Sequence, residues 1–307
     1  MQLLDGKKVS AEIYQNLHGE VLSLKKQGVN SKLVIILVGE DPASLSYIKQ
    51  KVKASEVVGI DSELVKLNPE EVTTESLIEM IHKMNENPAI QGILVQLPLP
   101  KHVYEPDVVK AVDPKKDVDG FTAYNLGKMF LSKDFEELVP CTPMGVIRLL
   151  EYYKIPVEGK NVTMVGSSNI VGKPMAVMLM NRRATVTVCN SRTKDLASNT
   201  KNADILIVAV GKIKLITADM VKEGAVVVDV GMNRNEEGKL CGDVDFENVS
   251  KKVSFITPVP GGCGPMTVAC LMENMVRAMK RKQDLGGRKN ETGSVECRKQ
   301  TFLITNY

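Results

Sequence analysis

The sequence predicts an α/β fold in two domains. Short apolar runs alternate with helix-length segments almost throughout, the pattern of parallel sheets covered by helices. A loop-rich stretch over 98–143, with repeated Pro, Asp and Gly, interrupts the alternation, which then restarts. The length of 307 residues suits two domains at roughly 150 residues each.

Along the first half, helical segments are expected at 9–26, 43–58 and 74–87, and strands at 33–38, 63–67 and 92–97. The sequence PCTP at 140–143 reads as a hinge leading into a helix, with Thr142 as N-cap and Pro143 in the first turn. Strands are expected next at 161–165, 185–189, 204–210 and 225–230. A last helix follows Pro265, placed at its first position, and repeats Val268, Leu271, Met272, Met275, Val276 and Met279 as a buried stripe. The polar segment 285–307 reads as a flexible tail, and the sequon at Asn290 has no meaning in a chain that is not secreted.

Composition narrows the function classes. Hydrophobic residues make up 43% and charged residues 25%, as in ordinary globular proteins. A net charge of +3 is too small to make nucleic acid the main partner. No run of about 18 apolar residues argues for a membrane span, and the start MQLLDGKKVS lacks signal-peptide character. Six cysteines without CxxC spacing suit reduced thiols in a cytoplasmic protein. Three scattered histidines support neither a metal site nor a Ser-His-Asp arrangement.

A nucleotide site is expected in the second half. The strand 161–165 runs into GSSNIVG at 166–172 and then a helix, an arrangement whose backbone N–H groups and helix dipole favour pyrophosphate. Ser168 stands where a second glycine would be, and an ordinary strand-to-helix turn is the competing reading. A P-loop is excluded, because Pro174 follows Lys173 instead of Ser or Thr. At the end of the next strand, CNSRT at 189–193 offers Ser191 and Arg192 but no acid. That suits a 2′-phosphate and favours NADP over NAD, with a solvated loop charge as the alternative for Arg192.

A chemical site is expected in the first half. Tyr47 and Lys51 are four apart on a helix and lie beside its apolar stripe of Leu45, Ile48 and Val52. A lysine held against apolar surface is a candidate proton carrier, although most helical lysines are simply solvated. Tyr-x-x-x-Lys also occurs in short-chain dehydrogenases, but there it follows the nucleotide turn, whereas here it precedes it. Gln96 interrupts the apolar strand 92–97 near its end, where an amide can orient an oxygen or water. The loop DPKKDVDG at 113–120 carries three carboxylates. Phe121 rules out an EF-hand, and Asp119 could accept hydrogen bonds from an amino-pyrimidinone edge or be part of a solvated turn.

The segment ITPVPGGCGPMT at 256–267 packs three prolines and three glycines together. It reads as a stiff turn presenting bare main chain to a ligand, with a tight connector as the alternative.

Taken together these segments resemble the bifunctional methylenetetrahydrofolate dehydrogenase/methenyltetrahydrofolate cyclohydrolase family. The resemblance is carried by YIKQK at 47–51, GILVQLPLP at 92–100, KDVDGF at 116–121, PCTP at 140–143, GSSNIVGKP at 166–174 and TPVPGGCGPMT at 257–267, in the family's order. It implies a folate domain over 1–141 plus 265–284, a Rossmann-like NADP domain over 142–264, and an active site in the cleft between them. It further implies Lys51, Gln96 and Asp119 as catalytic positions. Tyr47, Pro98, Pro260, Gly261, Gly262, Cys263 and Gly264 become substrate-binding positions. Gly166, Ser167, Ser168, Ile170, Gly172, Ser191, Arg192 and Met232 become cofactor-binding ones. Tetrahydrofolate derivatives as substrates, a role in one-carbon metabolism and purine biosynthesis, and a homodimer follow from the same resemblance. Cys263 stands where valine is usual, and Ser167 replaces an arginine that some members place for the 2′-phosphate. A dehydrogenase without the hydrolytic step, or a non-catalytic dinucleotide- or folate-binding protein, are the alternatives.

Overall fold

A computed structural model describes residues 1–287. The chain opens with β1 (Gln2–Leu3), α1 (Gly6–Lys26), β2 (Lys32–Val38), α2 (Pro42–Val58), β3 (Asp61–Leu67), α3 (Thr74–Glu86) and β4 (Ile90–Val95). The three helices start where their sequence supplies acceptors for free N–H groups. Asp5 caps α1 through the N–H groups of Lys7 and Lys8. Asp41 caps α2 through Ser44 at 2.7 Å, and Thr73 and Ser76 form a capping box on α3. Strand β2 is the centre of a parallel sheet of order β3-β2-β4. Its period of two is visible in the packing. Leu33, Ile35 and Leu37 join one core cluster, and Val34, Ile36 and Val38 join another with Leu77 and Ile81 of α3.

The expected loop region contains α4 (Glu105–Ala111) and α5 (Ala123–Leu131), short helices that the density of Pro, Asp and Gly had hidden. Next comes α6 (Cys141–Tyr152). Its N-cap is Pro140 and makes no side-chain cap bond. Thr142 is therefore not the cap; its hydroxyl shares a 3.0 Å hydrogen bond with that of Thr267. The alternation then resumes as β5 (Asn161–Val165), α7 (Gly172–Met180), β6 (Thr185–Cys189), α8 (Leu196–Thr200), β7 (Ile205–Val208) and β8 (Val226–Asp229). A small antiparallel hairpin of β9 (Asn233–Arg234) and β10 (Leu240–Cys241) leads through α9 (Phe246–Val249) to β11 (Phe255–Ile256). The chain then enters α10 (Cys263–Gly287).

The second sheet has the order β1-β11-β8-β7-β5-β6, every neighbouring pair parallel. Its edge strand β1 comes from the start of the chain. A two-residue strand has too short an apolar pattern to announce this, and residues 2–3 thus leave the half to which the sequence assigned them. Helix α10 begins two residues before Pro265, which occupies the third helical position; no intrahelical N–H is needed there either. The helix also runs to Gly287, past the expected start of the tail at 285. The rest of that tail, with Asn290 and Cys297, lies outside the described residues.

Helix α10 returns to the first half. Its predicted stripe is at most 2% exposed and shares one cluster with α1, α2, α6, the inner face of β2, and Val162, Met164, Ile205 and Ile207 of the second sheet. Asn274, buried on the same helix, donates to the carbonyls of Val118 and Val139 at 2.9 Å each. Asn274→Ala should cost about 1–3 kcal/mol, since it strands buried carbonyls. Urea unfolding measures this, and an unchanged midpoint would show that the two bonds hold nothing.

Candidate active site

Lys51 lies in the middle of α2 and is 8% exposed. Its Nζ donates to Gln96 Oε1 at 3.0 Å. Gln96 follows β4 directly, because that strand ends two residues earlier than expected, before the prolines that cannot extend a ladder. Its Nε2 donates to the Leu97 carbonyl at 2.7 Å, which fixes the amide's orientation toward Lys51. The Leu97–Pro98 peptide that follows is cis, as is Val259–Pro260.

Asp119 reaches the same place from a loop that runs beside β4, with Ile93 N–H donating to the Lys116 carbonyl at 2.8 Å. The loop is built around Asp117. That carboxylate accepts from the N–H groups of Gly120, Phe121 and Thr122 and from Asn125 Nδ2, at 2.8–3.2 Å. Asp119 itself accepts no hydrogen bond among the described residues and is left for another donor. Burial pushes its carboxyl up from the usual range, Lys51 pulls it down, and the Asp117 charge pushes it up again. Cys141 lies beneath, its thiol pushed well up by burial first and Asp119 second. It is an inert neighbour.

Across from α2 stand the loops of the second sheet. Tyr47 Oη donates to Met232 Sδ at 3.1 Å, joining α2 to the loop after β8. Burial, then Cys263, raises the Tyr47 phenol. In the loop before α10, Gly261, Gly262 and Cys263 are buried, Gly264 is half-buried and Pro260 is exposed. The N–H groups of Gly6 and Lys7 donate to the Gly261 carbonyl, so the start of α1 anchors this loop. Pro98, three residues after the end of β4, is exposed.

The nucleotide turn sits at the C-terminal end of β5. Gly166 has φ +122°, and a Cβ there would run into the Ala209 carbonyl. A Cβ on Gly172 would run into Gly166 in turn, so both glycines are sterically required. Ser168 Oγ accepts from the N–H groups of Val171 and Gly172 and braces the turn from inside. Ser167 is half-buried and Ile170 exposed. Ser191 and Arg192 lie exposed in the turn after β6, shaped by the bond from Arg192 N–H to Asn190 Oδ1 at 2.9 Å. A glycine cradle leading to a cationic, acid-free strand end fits NADP.

Two family models cover the chain. The tetrahydrofolate dehydrogenase/cyclohydrolase catalytic domain matches residues 4–119, and the NAD(P)-binding domain of the same description matches 140–283. The chain belongs to the tetrahydrofolate dehydrogenase/cyclohydrolase family. The bifunctional protein FolD of Nautilia profundicola is 55% identical over 280 residues, covering 91% of this chain and 98% of that one. The crystal structure of the bifunctional enzyme FolD, methylenetetrahydrofolate dehydrogenase/cyclohydrolase, from Campylobacter jejuni is 50% identical. It superposes with a TM-score of 0.89, over 92% of this chain and 99% of the other. The Trypanosoma brucei N5,N10-methylenetetrahydrofolate dehydrogenase-cyclohydrolase, complexed with NADP cofactor and inhibitor, is 35% identical with a TM-score of 0.87, over 91% and 97% of the two chains.

Several residues that shape this family member's site escape sequence reasoning. Asp117 and Asn274 hold the Asp119 loop, and Asp229 and Asp243 hold loops at the cofactor crevice. The available signal was an acid at the end of an apolar strand or beside a glycine, as in VVVDVG at 226–231 and CGDV at 241–244. Asp117→Ala should destabilise the chain by about 2–4 kcal/mol, because it leaves several donors unpaired. It should also raise the folate KM. A variant with normal stability in urea and normal KM would remove Asp117 from this role.

Proposed function

We propose that this chain oxidises 5,10-methylenetetrahydrofolate to 5,10-methenyltetrahydrofolate with NADP and then hydrolyses the product to 10-formyltetrahydrofolate, in one cleft. The observation that carries the reading is the hydrogen bond from the buried Lys51 to Gln96, beside an Asp119 with no hydrogen-bond donor among the described residues. NADP, when bound along Gly166–Gly172, Ser191 and Arg192, supplies the acceptor for the hydride that leaves the methylene carbon. That step asks the protein for orientation more than for acid–base help. Tyr47 gives a ring for the substrate to pack on, the main chain of 260–264 lines the cleft, and Asp119 accepts from the pterin's amino and ring N–H groups.

Hydrolysis asks for more. Water must lose one proton as it adds to the methenyl carbon; as the C–N bond then opens, a ring nitrogen gains one and the remaining hydroxyl proton leaves to solvent to give the formyl C=O. Lys51 is placed to take the first proton and deliver the second, while Gln96 keeps Nζ in place. A dehydrogenase without hydrolysis would leave this pair with no task.

The same reading divides the chain into a folate-binding unit, 1–141 plus 265–284, and a nucleotide-binding unit, 142–264. It places the protein in the cytoplasm, where the buried thiols Cys141, Cys189, Cys263 and Cys270 stay free, and in supply of one-carbon units to purine synthesis. It also makes the protein a homodimer joined through the second sheet. The edge strand β6, with Val188 exposed, supports that surface. Sedimentation equilibrium returning only the monomer mass would contradict the dimer.

Lys51→Met should slow methenyl hydrolysis at least about 100-fold while leaving NADP binding intact; hydrolysis near wild type would sink the assignment. Asp119→Ala should raise the folate KM about 10–100-fold, the value of a lost charged hydrogen bond. Lys51 pulls the Asp119 carboxyl down. Removing that cation lets Asp119 rise further, so the acid limb of folate binding should move to higher pH in Lys51→Met. A limb that stays in place would separate the two residues.

A further inference from the structure

The strand order fixes which half of the dinucleotide lies where. The glycine turn leaves β5, with β6 on one side and β7 and then β8 on the other. Ser191 and Arg192 end β6, so the adenosine half runs that way. The nicotinamide half must therefore lie over the ends of β7 and β8, toward Met232 and the Tyr47 contact that joins the two halves of the site.

The loops at those two strand ends are held by one buried side chain. Asp243, 0% exposed, accepts from the N–H groups of Val210 at 2.7 Å, Gly211 at 3.1 Å and Lys212 at 2.8 Å. Asn233 Nδ2, beyond Met232, adds a fourth bond at 2.9 Å. These bonds explain why β7 stops at Val208: the donors that follow Ala209 turn to a carboxylate. Behind Asp243 stands Asp229, 4% exposed, which accepts from the N–H groups of Gly231, Asp243 and Val244 at 2.9–3.0 Å. The main chain of Asp229 is bonded to the Thr257 hydroxyl, where the substrate loop begins. Ala209 packs against Gly166 at the pyrophosphate turn.

We propose that Asp243, backed by Asp229, is a positioning residue for hydride transfer, fixing the loops at the ends of β7 and β8 on which the nicotinamide half of NADP rests. The inference rests on the dehydrogenase reading above.

Two further observations support it. Neither carboxylate has an ion-pair partner among the described residues; their charge is met by backbone N–H dipoles and, at Asp243, by the Asn233 amide. Burial first, against backbone hydrogen bonds, and then the neighbouring Asp243 charge push Asp229 up to about 6; Cys263 is the other titratable group beside it. A raised folded-state value means that Asp229 contributes stability below its ordinary 3.8 and loses it as pH rises through about 6. At neutral pH the ionised Asp229 carboxylate works against folding, a signature of placement rather than of stability. Two glycines also admit the carboxylates: a Cβ on Gly231 would enter the Asp243 carboxylate, and one on Gly242 would enter that of Asp229.

Hydride transfer is sensitive to such placement, since a shift of about 1 Å can cost on the order of 100-fold in rate. Hydrolysis at Lys51 does not use the nicotinamide. The full-length chain is tested as Asp243→Asn, with Asp243→Glu as the conservative variant and Gly231→Ala as one that displaces the same loops and leaves both charges. We measure NADP affinity by calorimetric titration, the dehydrogenase kcat, and methenyl hydrolysis without NADP. For Asp243→Asn and Gly231→Ala the expected result is NADP affinity weakened about 10-fold and dehydrogenase kcat lowered about 100-fold, with hydrolysis within about twofold of wild type. Asp243→Glu should recover part of the loss. Unchanged NADP affinity and dehydrogenase rate in Asp243→Asn would overturn the inference, and so would a proportional fall of both activities. If Asp243→Asn does not fold, Gly231→Ala decides in the same way. A wild-type chain that binds NADP but oxidises nothing would instead defeat the functional reading, and the titrations would still judge Asp243 by NADP affinity.

Discussion

The burial of helix α10 is the constraint on which the other contacts depend. Each large side chain of its stripe contributes roughly 1.5–3 kcal/mol when removed from water, and the stripe faces α1, α2 and α6 together. Ser55 of α2, one turn after Lys51, bonds the Lys51 carbonyl and meets Met272 of this helix. Asn274 ties down the carbonyl just before Asp119. The first turn of the helix grows directly out of the 257–262 loop. One apolar surface thus sets the height of the lysine, the loop of the aspartate and the approach of the main chain that faces them. The geometry of the candidate site is a by-product of core packing more than of contacts among its own side chains.

Buried carboxylates form the second layer of this arrangement. Asp117, Asp229 and Asp243 each gather three backbone N–H groups, Asp117 and Asp243 from one tight turn and Asp229 from two segments, and none takes a cation among the described residues. A carboxylate with fixed dipoles around it holds a loop without placing a mobile positive charge near the ligands. That suits a cleft that must receive an anionic dinucleotide and a cationic folate intermediate. Asp119 differs from these three in having no hydrogen-bond donor among the described residues and in being less buried, and that makes it available.

Much of this was legible in the chain. The continuous apolar runs of β2 and β7, buried on both faces, and the spacing of the α10 stripe follow directly from what each face must bury. Lys51, Tyr47 and the glycine turn announced themselves by spacing. The Lys51–Gln96 bond did not, because its partners are 45 residues apart and Gln96 stands just beyond its strand. The short helices α4 and α5 were hidden by Pro, Gly and Asp, which mark caps as readily as loops. Thr142 looked like a cap because its residue type is right, yet its hydroxyl had a tertiary partner. The structural aspartates were invisible for a related reason: a side chain that organises backbone N–H groups across distant loops leaves no periodic trace.

The pairing of β1 with β11 carries a consequence for how the molecule comes together. These two strands lie at opposite ends of the described sequence, yet Leu4 N–H bonds to Ile256 and the Gly6 and Lys7 N–H groups reach Gly261. On a growing chain β1 is made long before β11 and must wait, unpaired, for its partner. Contacts of such wide sequence separation close late and are entropically demanding. The closure that pairs these strands also seats the loop before α10 on the start of α1. A chain that has built both sheets but not yet clasped its two ends would be folded nearly everywhere except at the place where it acts.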